Sequence, residues 1–327
     1  MQAKPHAKIL GTGRAVPEKI LSNADLEKMV DTSDQWIIER TGIRTRHIAE
    51  PGTGVAQLAA AAARNALDDA GLGPQDIDLI IVGTVSGDYK FPATACLVQQ
   101  QLGIEQAAAF DVSAACSGFL YSLRLGESLL RSGDFRRALI IGGEVLSSQV
   151  DWSDRNTCTL FGDGAGAAII GPSQDESGIL ALHLQSDGRH AGLLINPGCG
   201  SANPPRPDNL HLHAIRMEGR EVFRHAVAAM SDGLDRVLGK TGLRLEDIDL
   251  LIPHQANLRI IQAVGKKVGM PEDRVYVNVD RFGNTSAASI PMAIDEARRS
   301  GRIAPGHLVA AVTFGAGFTW AAGLIRF

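Results

Sequence analysis

Two rhythms of apolar residues alternate along the chain. Short uninterrupted runs, with Asp76-Ile-Asp-Leu-Ile-Ile-Val82, Ala138-Leu-Ile-Ile141 and Leu308-Val-Ala-Ala-Val312 among them, have the length of strands covered on both faces. Between them apolar positions recur every three or four residues, as in helices with one buried side. Phe119, Leu123, Gly126 and Leu130 form such a stripe, closed by Arg131-Ser-Gly133, and Phe223, Val227, Met230, Leu234 and Val237 form another. The same reasoning predicts a strand over 8–17 that ends in a Gly-x-Gly turn, and a helix over 22–30 with Asn23 as its N-cap. It also predicts a helix over 31–40 closed by Thr41-Gly42, an alanine-rich helix over 58–70, a strand over 275–279 and a helix over 287–299.

One phrase occurs twice. Gly71-Leu72 followed by Asp76-Ile-Asp-Leu-Ile-Ile81 returns as Gly242-Leu243 followed by Asp247-Ile-Asp-Leu-Leu-Ile252. The offsets 242 − 71 and 247 − 76 both equal 171, and Leu67 matches Leu238 at the same spacing. A helix–turn–strand unit repeated half a chain later implies duplication. The phrase continues with strand 110–112, a turn holding Cys116 and a helix in the first half. In the second half it continues with strand 275–279, Phe282-Gly-Asn-Thr-Ser286 and a helix. Strands alternating with helices predict sheets covered by helices on both faces. The expected class is therefore α/β, with two similar halves, residues 1–174 and 175–327, joined near Gly171–Gly178.

Composition changes this picture little. The 327 residues are 45% hydrophobic and 21% charged, which suits a chain able to bury a large core. A net charge of −4 without a Lys/Arg run points away from nucleic acid. No apolar run reaches membrane-spanning length, and residues 1–10 enter a strand without a signal-peptide stretch, so no membrane partner and a cytoplasmic location are expected. Cys96, Cys116, Cys158 and Cys199 are scattered without a Cys-x-x-Cys pair, so neither a disulfide framework nor a metal site is expected. Phe161-Gly-Asp-Gly-Ala-Gly-Ala-Ala-Ile-Ile170 lacks the Lys-Ser/Thr of a phosphate loop and the following helix of a dinucleotide loop. Its glycines read as close backbone packing.

Candidate chemistry gathers where strands end, the side on which α/β sheets bind ligands. Cys116 follows strand 110–112, and Pro253-His-Gln-Ala-Asn257 follows the strand at Leu250. Gly283-Asn-Thr-Ser286 follows 275–279, and Phe314-Gly-Ala-Gly-Phe318 follows 308–312. A cysteine in the first turn of a helix sits where free N–H groups and the helix dipole favour an anion, a placement that lowers a thiol pKa. Singly, each residue has a plainer reading: a core cysteine, a hydrogen-bonded core histidine and a capping asparagine. Together at equivalent strand ends they form a candidate site for covalent catalysis. Trp36 and Arg40, four apart on one helical face, suit a purine and phosphate, or else an indole covered by an arginine stem.

Ala114-Ala-Cys-Ser-Gly118, Pro253-His-Gln-Ala-Asn-Leu-Arg259, Gly283-Asn-Thr-Ser-Ala-Ala288 and Phe314-Gly-Ala-Gly-Phe-Thr-Trp320 resemble the signatures of β-ketoacyl-[acyl carrier protein] synthase III. This is the condensing enzyme that initiates type II fatty-acid synthesis. Asp31-Thr-Ser-Asp-Gln-Trp36 and Arg40-Thr-Gly-Ile-Arg44 extend the resemblance over essentially the whole chain. It implies a thiolase-like fold of five αβαβα layers, a homodimer, and an acyltransferase that needs no cofactor because acyl-CoA is a substrate. Cys116 would take the acyl group from acyl-CoA, and malonyl-acyl carrier protein would lose CO2 to give the enolate that attacks it. His254 and Asn284 would donate to the thioester oxygen that gains charge on decarboxylation. Backbone N–H groups of Cys116 and Ala316 would form the oxyanion hole for acyl transfer, with Ala316 standing where many relatives have glycine. A Cys-His-Asn set resembles the initiating synthases rather than the elongating, Cys-His-His ones.

The resemblance also carries binding positions. Trp36 and Arg155 match residues that sandwich the CoA adenine, Thr32 and Arg40 residues near its base and phosphates, and Asn257 one along the pantetheine tunnel. Arg224, Arg259, Lys266 and Lys267 match a basic patch that receives the acidic carrier protein, with Lys266-Lys267 alternatively a solvated helix face. Phe91 resembles the residue that crosses the dimer interface to floor the partner's acyl pocket. The primer stays open between a short acyl-CoA, acetyl-CoA first, and a longer or aromatic one used in secondary metabolism. A degradative thiolase would need a second active-site cysteine near the C-terminus, which Gly315-Ala-Gly317 lacks. A non-catalytic subunit would typically lack the nucleophile.

Overall fold

The structure is a computed structural model that describes residues 7–198 and 200–327, so residues 1–6 of the N-terminal segment and Cys199 lie outside the described residues. Two mixed sheets form the frame. The first comprises β1 (Ala7–Ala15), β2 (Leu79–Gly83), β3 (Ala108–Val112), β4 (Ala138–Glu144) and β5 (Gly164–Pro172), in the order β1-β5-β4-β2-β3. The second comprises β6 (Gly178–Ser186), β7 (Leu250–Pro253), β8 (Leu308–Gly315) and β9 (Thr319–Arg326), in the order β6-β9-β8-β7. Each sheet runs from two antiparallel pairings into parallel ones, β4-β2-β3 in the first and β8-β7 in the second. β1 and β6 begin at residues 7 and 178, and β2 and β7 at 79 and 250; both pairs are 171 apart, the offset of the sequence echo. The fold carries the duplication that the repeat implies.

A short helix, α1 (Asp34–Thr41), precedes the layers. α2 (Val55–Ala70) and α3 (Thr94–Leu102) cover the outer face of the first sheet, and α4 (Gly118–Ser132) packs on its inner face. α5 (Gly219–Thr241) and α6 (Leu258–Val268) lie outside the second sheet, and α7 (Ser289–Arg299) joins α4 between the two. The result is the expected five layers. Side chains on a strand alternate between faces, so one apolar run feeds two cores. Leu79 and Ile81 point into the central layer with Phe119, Leu123 and Ile294, while Ile80 and Val82 pack outward on Ala59, Ala63 and Ala66 of α2. In the second sheet Leu250 and Ile252 face the centre and Leu251 faces Met230, Leu234 and Val264. Strands buried on both faces explain the unbroken apolar runs.

Several local expectations need correction. β1 does not turn at its glycines but runs through Gly11 and Gly13; a Cβ on Gly11 would stand 2.5 Å from the Ala66 carbonyl oxygen, so the strand lies against the α2 backbone there. The Gly162–Gly166 run does serve close packing: a Cβ on Gly166 would lie 2.6 Å from the Met292 nitrogen of α7. The helix near residue 22 is one turn, Asn23–Leu26, capped by Ser22, while Asn23 is buried and binds Asp34, Arg46 and the Ile43 carbonyl. α1 begins at Asp34 because the Ser33 hydroxyl accepts the Trp36 N–H. Residues 275–279 do not form a strand. Val275 makes a single bridge to Leu251, after which the Gln255 side-chain oxygen accepts the Asn278 and Val279 N–H groups at 2.8 and 3.2 Å. A carboxamide thus replaces the next rung of the ladder, and the chain turns into the helical turn Val279–Phe282. In α5 the buried stripe is Val222, Ala226, Met230, Leu234 and Val237; Phe223 and Val227 are half-buried, and Phe223 faces a cavity.

Candidate active site

The carboxyl ends of the parallel strands converge on one cavity of about 1430 Å3, larger than the ~300–1,000 Å3 of common small-molecule sites. Cys116, His254, Asn284 and Ala316 all line it. After β3 the chain enters a three-ten turn, Ala115–Ser117, that carries Cys116 into α4. The matching turn in the second half, Ser286–Ala288, leads into α7. Ala115 and Ser286, 171 residues apart, have φ of 47° and 49°, sparsely populated for residues with a side chain. The corner was duplicated together with its strain. This offset pairs Cys116 with Ala287, so Asn284 shares the turn of the nucleophile candidate without occupying its position.

Each polar side chain is held by the end away from the cavity. Gly283 has φ of 66°, and a Cβ there would meet the Leu160 carbonyl oxygen at 2.9 Å, so glycine sets the path into Asn284. The Asn284 Oδ1 accepts the Ser286 N–H at 2.9 Å, which leaves its amide NH2 as the group turned to the cavity. His254 extends β7, its N–H donating to the Val312 carbonyl at 2.8 Å. Its Nδ1 lies 2.6 Å from the Ser289 hydroxyl, while its buried Nε2 finds no partner among the described residues. The Gln255 N–H points at the same hydroxyl oxygen from 3.4 Å, and that hydroxyl has no other acceptor among the described residues. A buried hydroxyl proton goes to the available acceptor. Ser289 therefore donates to Nδ1, and the His254 tautomer carries its proton on Nε2, aimed into the cavity. Burial alone holds this imidazole down, at about 3, so it is neutral at physiological pH.

The thiol contradicts the helix-dipole expectation. Burial is the largest influence on Cys116 and pushes its pKa up to about 12, helped by the charge of Glu144 and opposed by a hydrogen bond from Ser286. The sulfur is buried in the turn rather than set in front of a solvated helix end, and desolvation is its largest influence. A Cβ on Gly315 would stand 2.7 Å from the Cys116 nitrogen, so the end of β8 lies directly on the Cys116 backbone and brings Ala316 beside it. Ala316 is not among the residues of positive φ, so alanine adopts this turn without strain.

Two family profiles match the chain: 3-oxoacyl-[acyl-carrier-protein] synthase III over residues 110–188, and the C-terminal part of 3-oxoacyl-[acyl-carrier-protein] synthase III over residues 238–327. The β-ketoacyl-[acyl-carrier-protein] synthase III of Caldanaerobacter subterraneus is 51% identical over 328 aligned positions, covering 100% of this chain and 99% of that protein. The crystal structure of 3-oxoacyl-[acyl-carrier-protein] synthase III from Aquifex aeolicus superposes with a TM-score of 0.92 at 47% identity, covering 98% of this chain and 100% of its own. The chain belongs to the β-ketoacyl-[acyl-carrier-protein] synthase III family. The priming β-ketosynthase of the R1128 polyketide pathway is more distant, at 35% identity and a TM-score of 0.93, covering 100% of this chain and 98% of its own.

Within this synthase III frame the other expected residues fall into three groups. Trp36, Arg40, Asn257 and Arg259 line the cavity. Arg40 and Arg155, both exposed, place their guanidinium carbon over the Trp36 ring, 4.9 and 5.1 Å from its centroid. Asn257 caps α6 by accepting the Arg259 N–H and donates to the Arg40 carbonyl, tying α1 to α6. Thr32 is outside the cavity wall, with its hydroxyl buried and without a hydrogen-bond partner among the described residues. Arg224, Lys266 and Lys267 are exposed on α5 and α6 outside the wall, with Arg224 paired to Glu221. Phe91 is 86% exposed and does not reach the cavity of its own chain, whose wall there is residues 87–90. Sequence reasoning missed Arg220 at the cavity wall, Ser286, Ser289 and Glu144. The signals were an acid ending an all-apolar run at Glu144 and two serines, one closing the Gly283–Ser286 motif and one three residues after it. No group of three His, Cys, Asp or Glu among the described residues is placed to hold a metal, and no described helix is long and apolar enough to cross a membrane.

Proposed function

We propose that this synthase III catalyses the decarboxylative Claisen condensation of a short acyl-CoA, acetyl-CoA first among them, with malonyl-[acyl carrier protein]. The products are 3-oxoacyl-[acyl carrier protein], CoA and CO2, and the reaction initiates type II fatty-acid synthesis. Cys116 attacks the acyl thioester, and the backbone N–H groups of Cys116 and Ala316 stabilise the oxygen that becomes negative. CoA leaves and the acyl group stays on sulfur. Malonyl thioester then loses CO2, and its enolate oxygen lies between the Nε2–H of His254 and the amide of Asn284. Both donors are neutral, fixed and desolvated, which favours an oxyanion without requiring reorganisation. The enolate carbon attacks the acyl carbon, and Cys116 leaves.

The observation that carries this reading is the His254–Asn284 pair. Each is hydrogen-bonded on its far side, and each turns a donor into the cavity that holds Cys116. Trp36, Arg40, Arg155, Thr32 and Asn257 form the CoA side, and Arg224, Arg259, Lys266 and Lys267 receive the carrier protein. Residues 1–174 supply the nucleophile and 175–327 the two donors. The enzyme acts in the cytoplasm as a homodimer without a cofactor, Phe91 serving the partner's acyl pocket. Assaying purified protein with malonyl-[acyl carrier protein] and a series of acyl-CoA primers tests this reading. Short primers should give 3-oxoacyl product; turnover confined to long or aromatic primers would move the enzyme out of primary fatty-acid synthesis.

A further inference from the structure

Glu144 ends β4 with a carboxylate that has no access to solvent. From the segment after β2, the Thr84 hydroxyl, the Val85 and Ser86 N–H groups and the Ser86 hydroxyl all donate to it, the last at 2.5 Å. From the turn before α7, the Ser286 hydroxyl donates to its Oε1 at 3.1 Å. Beyond Ser286 stands Cys116: the turns that carry the two residues lie against each other and both residues line the cavity. Ser286 favours the Cys116 thiolate and the Glu144 charge opposes it. Burial raises the Glu144 carboxyl to about 7 despite these donors. A buried thiolate beside a buried carboxylate is costly, and two such groups do better sharing one proton and one negative charge. Ser286 bridges them from a left-handed backbone position that residues with side chains seldom occupy.

We propose, resting on Cys116 being the acyl carrier, that Glu144 is the proton store of the nucleophile, reached through the Ser286 hydroxyl. The Cys116 S–H proton passes to the Ser286 oxygen as the Ser286 proton passes to Glu144 Oε1. This leaves a thiolate, an intact serine and a neutral carboxylic acid. The sulfur pair forms the bond to the acyl carbon, and CoA departs as a thiolate that takes a proton from solvent. When condensation expels Cys116 as a thiolate, the proton on Glu144 returns by the same path and the pair is reset. The pocket holds one net negative charge throughout, except while the acyl group is on sulfur and Glu144 is neutral.

Alkylation of Cys116 by iodoacetamide, followed by peptide mass spectrometry from about pH 5.5 to about pH 9.5, tests the relay without any condensation substrate. In the wild type the rate should fall below pH about 7 and level off above it, following Glu144. In Glu144→Gln the level region should vanish. Alkylation at neutral pH should slow by about 100-fold and climb about tenfold per pH unit as hydroxide replaces the lost base. Simple charge repulsion predicts the opposite sign, because removing a buried negative charge eases thiolate formation. Equal or faster alkylation in Glu144→Gln would therefore overturn the relay while leaving the acyl-carrier role of Cys116 intact. Ser286→Ala keeps the Thr84, Val85 and Ser86 bonds to Glu144 and supplies the same test if Glu144→Gln does not fold. A wild-type profile in Ser286→Ala overturns the relay too.

Discussion

His254 is bonded at Nδ1 and Asn284 at Oδ1, so each offers the cavity a preset neutral donor rather than a charge. On the proposed mechanism their work belongs to the step in which an oxygen gains charge. His254→Ala should leave acyl transfer to Cys116 within about tenfold of wild type while condensation falls by about 100- to 1000-fold. Rapid-quench measurement of CoA release and of 3-oxoacyl product separates the two, and equal losses would show that His254 serves both. The same residue sets a pH dependence of stability. Its pKa is about 3 in the folded chain against an ordinary 6.5, so the unfolded chain binds more protons between those values. Stability present above pH 6.5 is lost as pH falls towards 3, by at most roughly 5 kcal/mol. Denaturant unfolding should show the wild type losing more than His254→Gln between pH 7 and 4.5 (a window of about 2.5 units); parallel losses would contradict it. At this scale the sequence spoke clearly about which residues meet and poorly about their protonation. Helix position suggested a lowered Cys116 pKa, whereas the burial that raises it depends on β8 and α7, far away in the chain.

Strands and helices were legible wherever one rhythm of burial governed them. β2, β4 and β8 are buried throughout, and their apolar runs say so. Residues 275–279 have equally apolar spacing but pair through a single bridge, because Gln255 reaches across and takes the Asn278 and Val279 N–H groups. No local pattern announces a side chain standing in for a strand. The β1 glycines misled for a related reason: they mark contact with α2 rather than a bend. The layer contact between β5 and α7 is equally intolerant. Gly166→Ala places a Cβ 2.6 Å from the Met292 nitrogen and should cost about 1–3 kcal/mol, read as a lowered thermal midpoint. An unchanged midpoint would mean that α7 can shift away from the sheet at little cost.

Across the whole molecule, duplication places the chemistry. Two copies of one strand–turn–helix corner, each with a left-handed residue at its start, face one cavity, and divergence gave one corner a thiol and the other a carboxamide. Repeat and motifs made this arrangement readable, since both survive in short stretches of sequence. Glu144 was not readable as a partner of Cys116, because β4 reaches it only through Ser286 of the other half. The exposed Lys266 and Lys267 at the end of α6 predict a docking effect separable from chemistry. Replacing both with alanine should raise KM for malonyl-[acyl carrier protein] by about tenfold, narrow its dependence on salt and leave acyl transfer from acyl-CoA unchanged. A solvated helix face without a docking role would leave both constants unmoved. The central claim, that Cys116 carries the acyl group between two substrates, is met most directly by incubating the enzyme with acetyl-CoA alone and locating the label by peptide mass spectrometry. One acetyl group should appear on the peptide containing Cys116, disappear on addition of malonyl-[acyl carrier protein], and be absent from Cys116→Ala. An acetyl group on another residue, or condensation by Cys116→Ala at the wild-type rate, would contradict it.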